Sequence, residues 1–220
     1  MPKKMQLKYE WNVAYRIEHW VHVASMIVLI FTGFYIHWPF FGGGPESQIM
    51  AWMRFLHFLS MYTLLIGLVL RIYMSFNSRF DADWRDFSVI QNLKGVPEMI
   101  AYYTFLKDKH TEYRKYNPLQ AFTYLSWAGI IILQALTGFA LYSGDFFGLF
   151  SSQAAFGWLN RLLGGESHTR VWHFLIMWYF IITAVVHVYM SLLQTLVKRD
   201  RTFQSMFTGY KLSSATGKKR

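Results

Sequence analysis

Residues Trp172–Tyr189, WHFLIMWYFIITAVVHVY, form a long apolar run that carries two histidines and indicates a membrane-spanning helix. His173 and His187 are 14 residues apart, which is almost four turns of an α-helix. Both side chains therefore leave the same helix face, about 21 Å apart along the axis. Ionisable side chains at membrane depth are costly and rare, so each of these histidines indicates a functional site.

Three more uncharged runs share this character in a chain that is 54% hydrophobic and 15% charged. A membrane-spanning helix needs about 20 apolar residues. The second run is short, so its helix must include flanking residues whose charges reach the interface. We expect an all-α integral membrane protein, a bundle of four transmembrane helices in one domain over residues 1–220. The predicted segments are helices at about 13–38, 50–73, 117–143 and 170–197, a cytoplasmic loop at 77–115 and a periplasmic loop at 144–169.

The basic residues predict the orientation of the chain. Of its 22 lysines and arginines, 19 fall on one side of the predicted spans, so both termini and the long loop should face the cytoplasm. This pattern accounts for the net charge of +10 better than nucleic-acid binding does. The 19 residues are Lys3, Lys4, Lys8, Arg16, Arg71, Arg79, Arg85, Lys94, Lys107, Lys109, Arg114, Lys115, Lys198, Arg199, Arg201, Lys211, Lys218, Lys219 and Arg220.

Cysteine is absent, which excludes disulfides, cysteine-ligated iron–sulfur clusters and a CxxCH haem attachment. A redox cofactor would therefore be held by histidine without a covalent bond.

Two local patterns predict smaller helical features. The segment Val96–Lys107 is amphipathic and indicates an interfacial helix with Pro97 in its first turn. The third spanning helix should begin at KYNPLQ, with Asn117 as N-cap, Pro118 at the first helical position and Gln120 completing a capping box.

A weak internal repeat links the first and third spans. FTGF at 31–34 resembles LTGF at 136–139, each near the outer end of its predicted helix. A glycine there lets a neighbouring helix or a flat cofactor approach the backbone. Chance and ordinary small-residue packing explain the repeat equally well.

The depths of four histidines along their helices predict two pairs. His57 and His173 each lie three residues past an arginine at the outer end of a helix, so they should share the outer side. His19 opens the first span from the cytoplasmic side and should lie at the depth of His187. Helix four must protrude or tilt for this, since His187 is 11 residues from the next basic residue. Helical bundles commonly build cofactor sites from facing side chains in this way.

Two imidazoles on opposite sides suit a low-spin haem iron, which takes two axial ligands. Zinc or copper would usually recruit a third or fourth ligand. Arg54 and Arg170 lie at the depth of an outer haem and could meet its propionates. Arg71, 14 residues after His57, could serve an inner haem. All three arginines could instead be interfacial anchors.

With these motifs the chain resembles the b-type cytochrome subunit of membrane-bound nickel–iron hydrogenases, within the wider bacterial cytochrome b561-like group. The family's second motif is a histidine, a tryptophan five residues on and a histidine at fourteen, matched here by His173, Trp178 and His187. Val171 departs from the small residue usual at its position. The similar segments are RIEHW at 16–20, FTGF at 31–34, MRFLHF at 53–58, YNPLQA at 116–121, LTGFALYS at 136–143, residues 172–189 and MFTGYK at 206–211.

The resemblance implies a dihaem cytochrome b in the bacterial cytoplasmic (inner) membrane. Two haem b groups would carry electrons from the small and large subunits of a periplasmic nickel–iron hydrogenase to a quinone, either menaquinone or ubiquinone. The chain would then be the electron-transfer subunit of a hydrogen:quinone oxidoreductase, with no catalytic residue of its own. In the related formate dehydrogenase cytochrome, residues matching Asn117 and His187 border the quinone site, and Gln120 lies one turn on. Helix capping alone also explains Asn117 and Gln120.

Three alternatives stay open. The same scaffold serves formate dehydrogenase and other periplasmic oxidoreductases. A histidine-relay transporter of metal ions or protons would show no haem spectrum, and the apolar runs lack the intramembrane carboxylates that such relays often contain. A purely structural anchor would leave the matched histidines unexplained. A fifth histidine, His22, either packs within the bundle or lines a quinone pocket.

Overall fold

The computed structural model of this chain describes residues 5–78, 80–108, 111, 113–146 and 148–214. Within these residues helices dominate, and short strands form two small antiparallel sheets. In chain order the elements are β1 Met5–Tyr9, α1 Val13–His37, α2 Gln48–Asn77, a 3-10 helix Trp84–Phe87, α3 Val89–Tyr103, α4 Pro118–Leu141, β2 Asp145–Phe146, β3 Phe150–Ser151, α5 Ser152–Leu162, α6 Glu166–Lys198, α7 Thr202–Thr208 and β4 Tyr210–Ser214.

Four of the described helices, α1, α2, α4 and α6, are long and apolar enough to cross a membrane. Only 17% to 22% of the residues in each apolar window are buried within the protein. Most of each apolar surface therefore faces outward, which lipid tolerates and water does not. The structure confirms the predicted class, an all-α multi-pass membrane protein.

The helices differ from the predicted segments mainly at their ends. Helix α2 begins at Gln48 because Ser47 caps it, accepting a hydrogen bond from the Met50 N–H at 3.2 Å. Helix α6 begins at Glu166 and has 33 residues, or about 50 Å at 1.5 Å per residue. A hydrocarbon core is about 30 Å thick. Helix α6 is thus long enough to protrude, as the depth predicted for His187 requires.

Contacts divide the chain into two compact units. Unit 1 consists of Met1–Leu125 together with Tyr189–Arg220, and unit 2 of Ser126–Val188. Unit 1 therefore contains α1, α2, α3, the start of α4 and the end of α6, while unit 2 contains the remainder of α4 and α6 with α5 between them. The prediction that residues 1–220 form a single membrane domain is not tested by this division into two compact units.

In unit 1, α1 and α2 are joined by a turn that depends on glycine. Asn12 caps α1 by accepting from the Tyr15 N–H at 2.7 Å. Near the other end, buried Tyr35 donates its hydroxyl to the Gly42 carbonyl at 2.6 Å. Gly42 and Gly43 have φ values of +80° and +89°, a conformation that glycine adopts without a steric penalty. The chain can therefore reverse directly into α2.

The two ends of unit 1 pair as strands, which the sequence analysis did not predict. Strand β1 runs antiparallel to β4, with Tyr9 opposite Tyr210. Gly209, just before β4, has a φ of +84° and accepts a hydrogen bond from the Trp11 N–H at 3.2 Å. A Cβ there would lie 3.0 Å from the Trp11 carbonyl oxygen. Strands from opposite ends of a chain leave no local sequence signal, so only the folded chain shows this pairing.

Helix α3 corrects the prediction for the cytoplasmic loop. It covers Val89–Tyr103 rather than Val96–Lys107, and Pro97 lies inside the helix rather than in its first turn. The earlier start is held by Asn92, whose N–H donates to the Ser88 carbonyl at 3.0 Å and whose side chain donates to Asp86 O at 2.8 Å. The prediction that Pro97 lies in the first turn was wrong, because these local hydrogen bonds begin the helix about two turns earlier.

In unit 2, the predicted outer loop is partly regular. The β2–β3 hairpin is followed by α5, and side chains of α5 donate hydrogen bonds to backbone carbonyls at the end of α4. Ser152 donates to Phe139 O at 2.6 Å, and Asn160 donates to Ala140 O at 2.8 Å. The last carbonyls of a helix have no partner inside that helix. Helix α5 therefore satisfies the end of α4, a role that no periodic pattern reveals.

Candidate functional site

In unit 1, His57 on α2 is held by a threonine of α1. Its Nδ1 lies 2.8 Å from Oγ1 of Thr32. Thr32 Oγ1 lies 2.7 Å from the Val28 carbonyl, which can only accept, so we assign the single hydroxyl proton to that contact and Nδ1–H of the ring as the donor to the threonine oxygen. This assignment fixes the tautomer and places the lone pair of His57 on Nε2.

In unit 2, His173 on α6 is held in the same way by α4. Its Nδ1 lies 2.8 Å from Oγ1 of Thr137, whose proton is directed to the Gln134 carbonyl at 2.9 Å. The Gln134 side chain donates to the His173 carbonyl at 3.1 Å. A Cβ added to Gly138 would lie 3.2 Å from Cε1 of His173. The glycine leaves room for the imidazole, and Nε2 again carries the lone pair.

Both threonines belong to the repeated Thr-Gly-Phe segment. The sequence analysis drew attention to its glycines, whereas the structure shows that the threonine at 32 and the threonine at 137 contact the histidines. The two are fully buried, each 1% exposed. The repeat was visible in the sequence, but the partner of each hydroxyl was not.

The other two predicted ligands have aromatic neighbours. His19 on α1 is half-buried, with its ring centroid 5.4 Å from that of Trp20. His187 on α6 is half-buried, 5.6 Å edge-on from Trp127. Trp127 is itself oriented by a hydrogen bond from Nε1 to Oγ1 of Thr183 at 2.9 Å. Each predicted pair takes one histidine from each unit, so the pairing stays a prediction.

The three predicted arginines have different surroundings. Arg54 is exposed near the start of α2, and Arg170 is exposed and pairs with Glu166 at 2.6 Å. Arg71 is less accessible: it pairs with Glu18 at 3.2 Å, and its guanidinium carbon lies 3.5 Å from the ring centroid of Tyr15. Contact of these arginines with haem propionates stays a prediction.

Glu18 is a functional candidate that the sequence analysis missed. It is 8% exposed and lies on α1, a candidate membrane-spanning helix, one residue before the uncharged run that begins at His19. Its Oε1 is 2.9 Å from Nδ1 of His22, whose Nε2 is 3.1 Å from the Leu64 carbonyl. A Cβ on Gly67 would collide with this imidazole. Glu18 escaped notice because it borders the uncharged run instead of interrupting it.

The predicted capping box is present at the start of α4. Asn117 Oδ1 accepts from the Gln120 N–H at 2.9 Å, and Gln120 Oε1 accepts from the Asn117 N–H at 3.0 Å. The Asn117 amide also donates to the Tyr103 hydroxyl at 2.9 Å, and Gln194 donates to the same oxygen at 2.6 Å. Quinone contact by Asn117 and Gln120 stays a prediction.

Tyr103 and Gln194 were missed because they come from α3 and the end of α6, far apart in the sequence. Burial raises the pKa of Tyr103, although its hydrogen bonds from Asn117 and Gln194 lower it. The phenol therefore stays protonated while its oxygen accepts two hydrogen bonds. The start of α4 is thus a polar cluster built from three helices of unit 1.

The donor set fits a metal carried by a flat cofactor. Across the part of the chain that the structure describes, no three His, Cys, Asp or Glu side chains gather as a metal-ion site. In two of the histidines Nδ1 lies 2.8 Å from a threonine hydroxyl, and the tautomer assigned from this contact has its lone pair on Nε2, the form in which a neutral imidazole binds a metal. Four membrane-spanning helices with such histidines define a class of helical membrane proteins that bind a redox metal through imidazole.

Comparison with known proteins agrees with this class. Residues 10–209 match the model of a family described as prokaryotic cytochrome b561, and the chain belongs to this family. Haem b is the cofactor that this family of b-type cytochromes implies.

Curated relatives cover nearly the whole chain. A probable Ni/Fe-hydrogenase B-type cytochrome subunit of Cupriavidus necator is 30% identical over 219 residues, which is 95% of this chain and 88% of the relative. The protein of the same description from Azotobacter vinelandii is 28% identical over 217 residues, 96% and 90%. A probable Ni/Fe-hydrogenase 1 B-type cytochrome subunit of Escherichia coli K12 is 28% identical over 92% of this chain and 90% of its own.

Proposed function

We propose that this chain is the cytochrome b subunit of a membrane-bound nickel–iron hydrogenase. It binds two b haems, attaches the hydrogenase small and large subunits to the periplasmic face of the membrane, and carries electrons to the quinone pool. The names of relatives that cover almost its full length support the partner. The assignment of haem as the cofactor is supported mainly by the hydrogen bonds between threonine and Nδ1 of His57 and of His173.

The four histidines provide the ligands in this proposal. His57 and His173 bind the outer haem and His19 and His187 the inner one, as the depths along the helices indicate. When bound, haem iron supplies one-electron redox chemistry. The chain's own part is to hold each imidazole in one tautomer and to surround it with apolar helices that exclude water.

Polar residues near these histidines have proposed roles toward the cofactors. Arg54 and Arg170 neutralise propionates of the outer haem, and Arg71 serves the inner one, where Glu18 already holds its guanidinium at 3.2 Å. Guanidinium groups suit this role because they bind carboxylates in two-point contacts. Asn117 and Gln120 border a site for menaquinone or ubiquinone, with the half-buried Tyr103 hydroxyl beside them.

The proposed location is the bacterial inner membrane, with both termini cytoplasmic. Pairing of β1 with β4 supports the two ends lying on one side, because both strands belong to one small sheet. The excess of basic residues on that side supports the cytoplasm. Some of these residues lie outside the described part of the chain, namely Lys3, Lys4, Arg79, Lys109, Lys218, Lys219 and Arg220.

Haem quantitation on the purified full-length chain tests the cofactor. A reduced-minus-oxidised spectrum from haem-replete cells should show b-type haem, with two haems per chain. A colourless preparation would contradict the proposal and favour the histidine-relay transporter. A single haem per chain would contradict the two predicted pairs.

Co-purification tests the partner separately. The tagged chain, extracted gently from native membranes, should bring with it a nickel–iron heterodimer and hydrogen-dependent quinone reduction. Recovery of a molybdenum enzyme such as formate dehydrogenase would show that the same scaffold serves another periplasmic oxidoreductase. The haem result would stand in that case, so the two parts of the proposal fail independently.

A further inference from the structure

We propose that Thr32 and Thr137 are positioning residues of the outer haem site, each holding Nδ1–H of one axial histidine so that Nε2 meets the iron. This inference rests on the proposed function and deepens it. The juxtaposition that carries it is the 2.8 Å contact of Thr32 with His57 in unit 1 and the 2.8 Å contact of Thr137 with His173 in unit 2.

The direction of the hydrogen bond follows from the proton count. A threonine hydroxyl has one proton, and in both cases a carbonyl of the preceding turn receives it, at 2.7 Å from Thr32 and at 2.9 Å from Thr137. The hydroxyl oxygen is then an acceptor toward the ring. A neutral imidazole that donates from Nδ1 has its lone pair on Nε2, which is the atom that an iron needs.

The contact is made twice, by the same tripeptide, in separate units. In each unit the Thr-Gly-Phe threonine lies on one membrane-spanning helix and the histidine on the next membrane-spanning helix. A helical threonine can satisfy its proton on its own backbone, as the partly exposed Thr63 does with Leu59 O at 2.9 Å. Packing therefore gives no reason for two threonines to meet two histidines at Nδ1, whereas ligand orientation does.

The chemical consequence is a stronger donor to iron. An imidazole that gives a hydrogen bond from Nδ1 is more basic at Nε2, and such outer partners typically matter 10–100-fold, roughly, for metal affinity. A more basic axial ligand favours oxidised over reduced iron. Removing the threonine hydroxyl should therefore weaken haem binding and raise the midpoint potential of the outer haem alone.

The test uses full-length Thr32→Val, Thr137→Val and Thr32→Ser chains purified from membranes of haem-replete cells. Valine keeps the shape and removes the acceptor, while serine keeps the acceptor. Thr63→Val is the matched control, because it removes a helical hydroxyl that bonds a backbone carbonyl on the same helix as His57. The readouts are haem per chain, a potentiometric titration of each haem component, and the low-spin electron paramagnetic resonance spectrum. The outer component is the one missing from His57→Ala.

The expected result is an upward potential shift or partial loss of the outer component in both valine variants, with the inner component unchanged. Thr32→Ser and Thr63→Val should match the parent protein. The inference is overturned if both valine variants leave the outer component unchanged, if Thr63→Val shifts it equally, or if both haems are lost together, which indicates a general packing role. A parent chain without haem would instead overturn the proposed function on which this inference rests.

Discussion

The α1–α2 pair and the α4–α6 pair make the same contacts at one end. In each, a threonine of the first helix meets the histidine of the second at 2.8 Å, Thr32 with His57 and Thr137 with His173. The two contacts lie in separate units of the protein. The same short motif therefore produces the same local geometry twice.

The likeness continues ten residues further along. His22, ten residues before its threonine, packs against Gly67, ten residues after its histidine. At the same offsets, Trp127 donates to Thr183 at 2.9 Å. The contacts share a register although the side chains differ, so the two antiparallel helix pairs are similar in more than the repeated tripeptide.

The pairs diverge 14 residues past the histidine. That position is Arg71 in α2, where Glu18 holds it as an ion pair, and His187 in α6, beside the ring of Trp127. One pair therefore offers a cation where the other offers a candidate ligand. The shared register therefore fixes where this residue lies in each helix pair, and the type of side chain determines whether it is a candidate ligand or a counter-charge.

The largest effect is expected when a histidine is removed at the end where both helix pairs make the threonine–histidine contact. His57→Ala should lose one haem of the proposed two, because an axial nitrogen is gone. His173→Ala should lose the same spectral component, whereas His187→Ala should lose the other. Haem per chain and reduced-minus-oxidised spectra measure this. His37→Ala is the control, since that ring is exposed at the end of α1. Equal loss of both components from His57→Ala would break the assigned pairing.

The second prediction concerns the position where α2 and α6 differ, at the ion pair between Arg71 and Glu18. Glu18→Ala leaves the Arg71 guanidinium without its carboxylate in a largely buried place, which should cost about 3–5 kcal/mol of the free energy of unfolding. Unfolding in detergent, followed by circular dichroism, gives the value.

Glu166→Ala is the matched control, because its carboxylate also pairs with an arginine on a membrane helix but is 56% exposed. That pair should contribute about 0–1 kcal/mol. Similar losses for the two variants would mean that the Glu18 ion pair does not distinguish the helix pairs.

A smaller effect comes from the glycine of the repeat. Gly138→Ala places a Cβ 3.2 Å from Cε1 of His173, so the ring must shift by a few tenths of an ångström. We expect a loss of about 1–3 kcal/mol, as for other overpacked sites, with a changed spectrum of the outer haem.

Gly129→Ala on the same helix is the control, because nothing lies within 4 Å of its added Cβ. Alanine is the better helix former, so this change should be neutral or stabilise by up to about 1 kcal/mol. Equal destabilisation by both substitutions would show that space around His173 is not what Gly138 provides.

The smallest expected effect is on the pH dependence of stability. It arises from a lysine near the start of α4, outside the membrane-spanning helices. The Lys115 side chain is 4% exposed, 3.4 Å from Glu10 and 4.6 Å from the Trp11 ring centroid. Burial lowers the pKa of Lys115 from its ordinary value of 10.5, although Glu10 raises it. The unfolded chain then binds more protons between the folded-state pKa and 10.5, so stability should rise with pH through that window.

Lys115→Met should flatten this rise, which unfolding measured at a series of alkaline pH values detects. Lys8→Met is the control, because Lys8 is exposed and contacts the same Glu10 carboxylate at 3.2 Å. An unchanged slope in Lys115→Met would show that burial of this ammonium does not affect stability.

Local and periodic features were predictable from sequence. The four apolar runs predicted the spanning helices, because length and hydropathy are properties of consecutive residues. Asn117 and Gln120 predicted their capping box for the same reason, since a cap involves residues three positions apart. The prediction for α3 was wrong because hydrogen bonds from Asn92 overrode the usual place of Pro97.

The class of the protein, a multi-pass helical membrane protein of a cytochrome family, and its candidate histidines could be predicted without the fold. Apolar runs and the spacing of histidines are properties of consecutive residues, so they can be recognised before the fold is known. The folded chain was needed to show which atoms are in contact: Thr32 and Thr137 with the histidine rings, Glu18 with Arg71, and β1 with β4. These contacts join residues far apart in sequence, and a hydrogen bond depends on distance and direction in space.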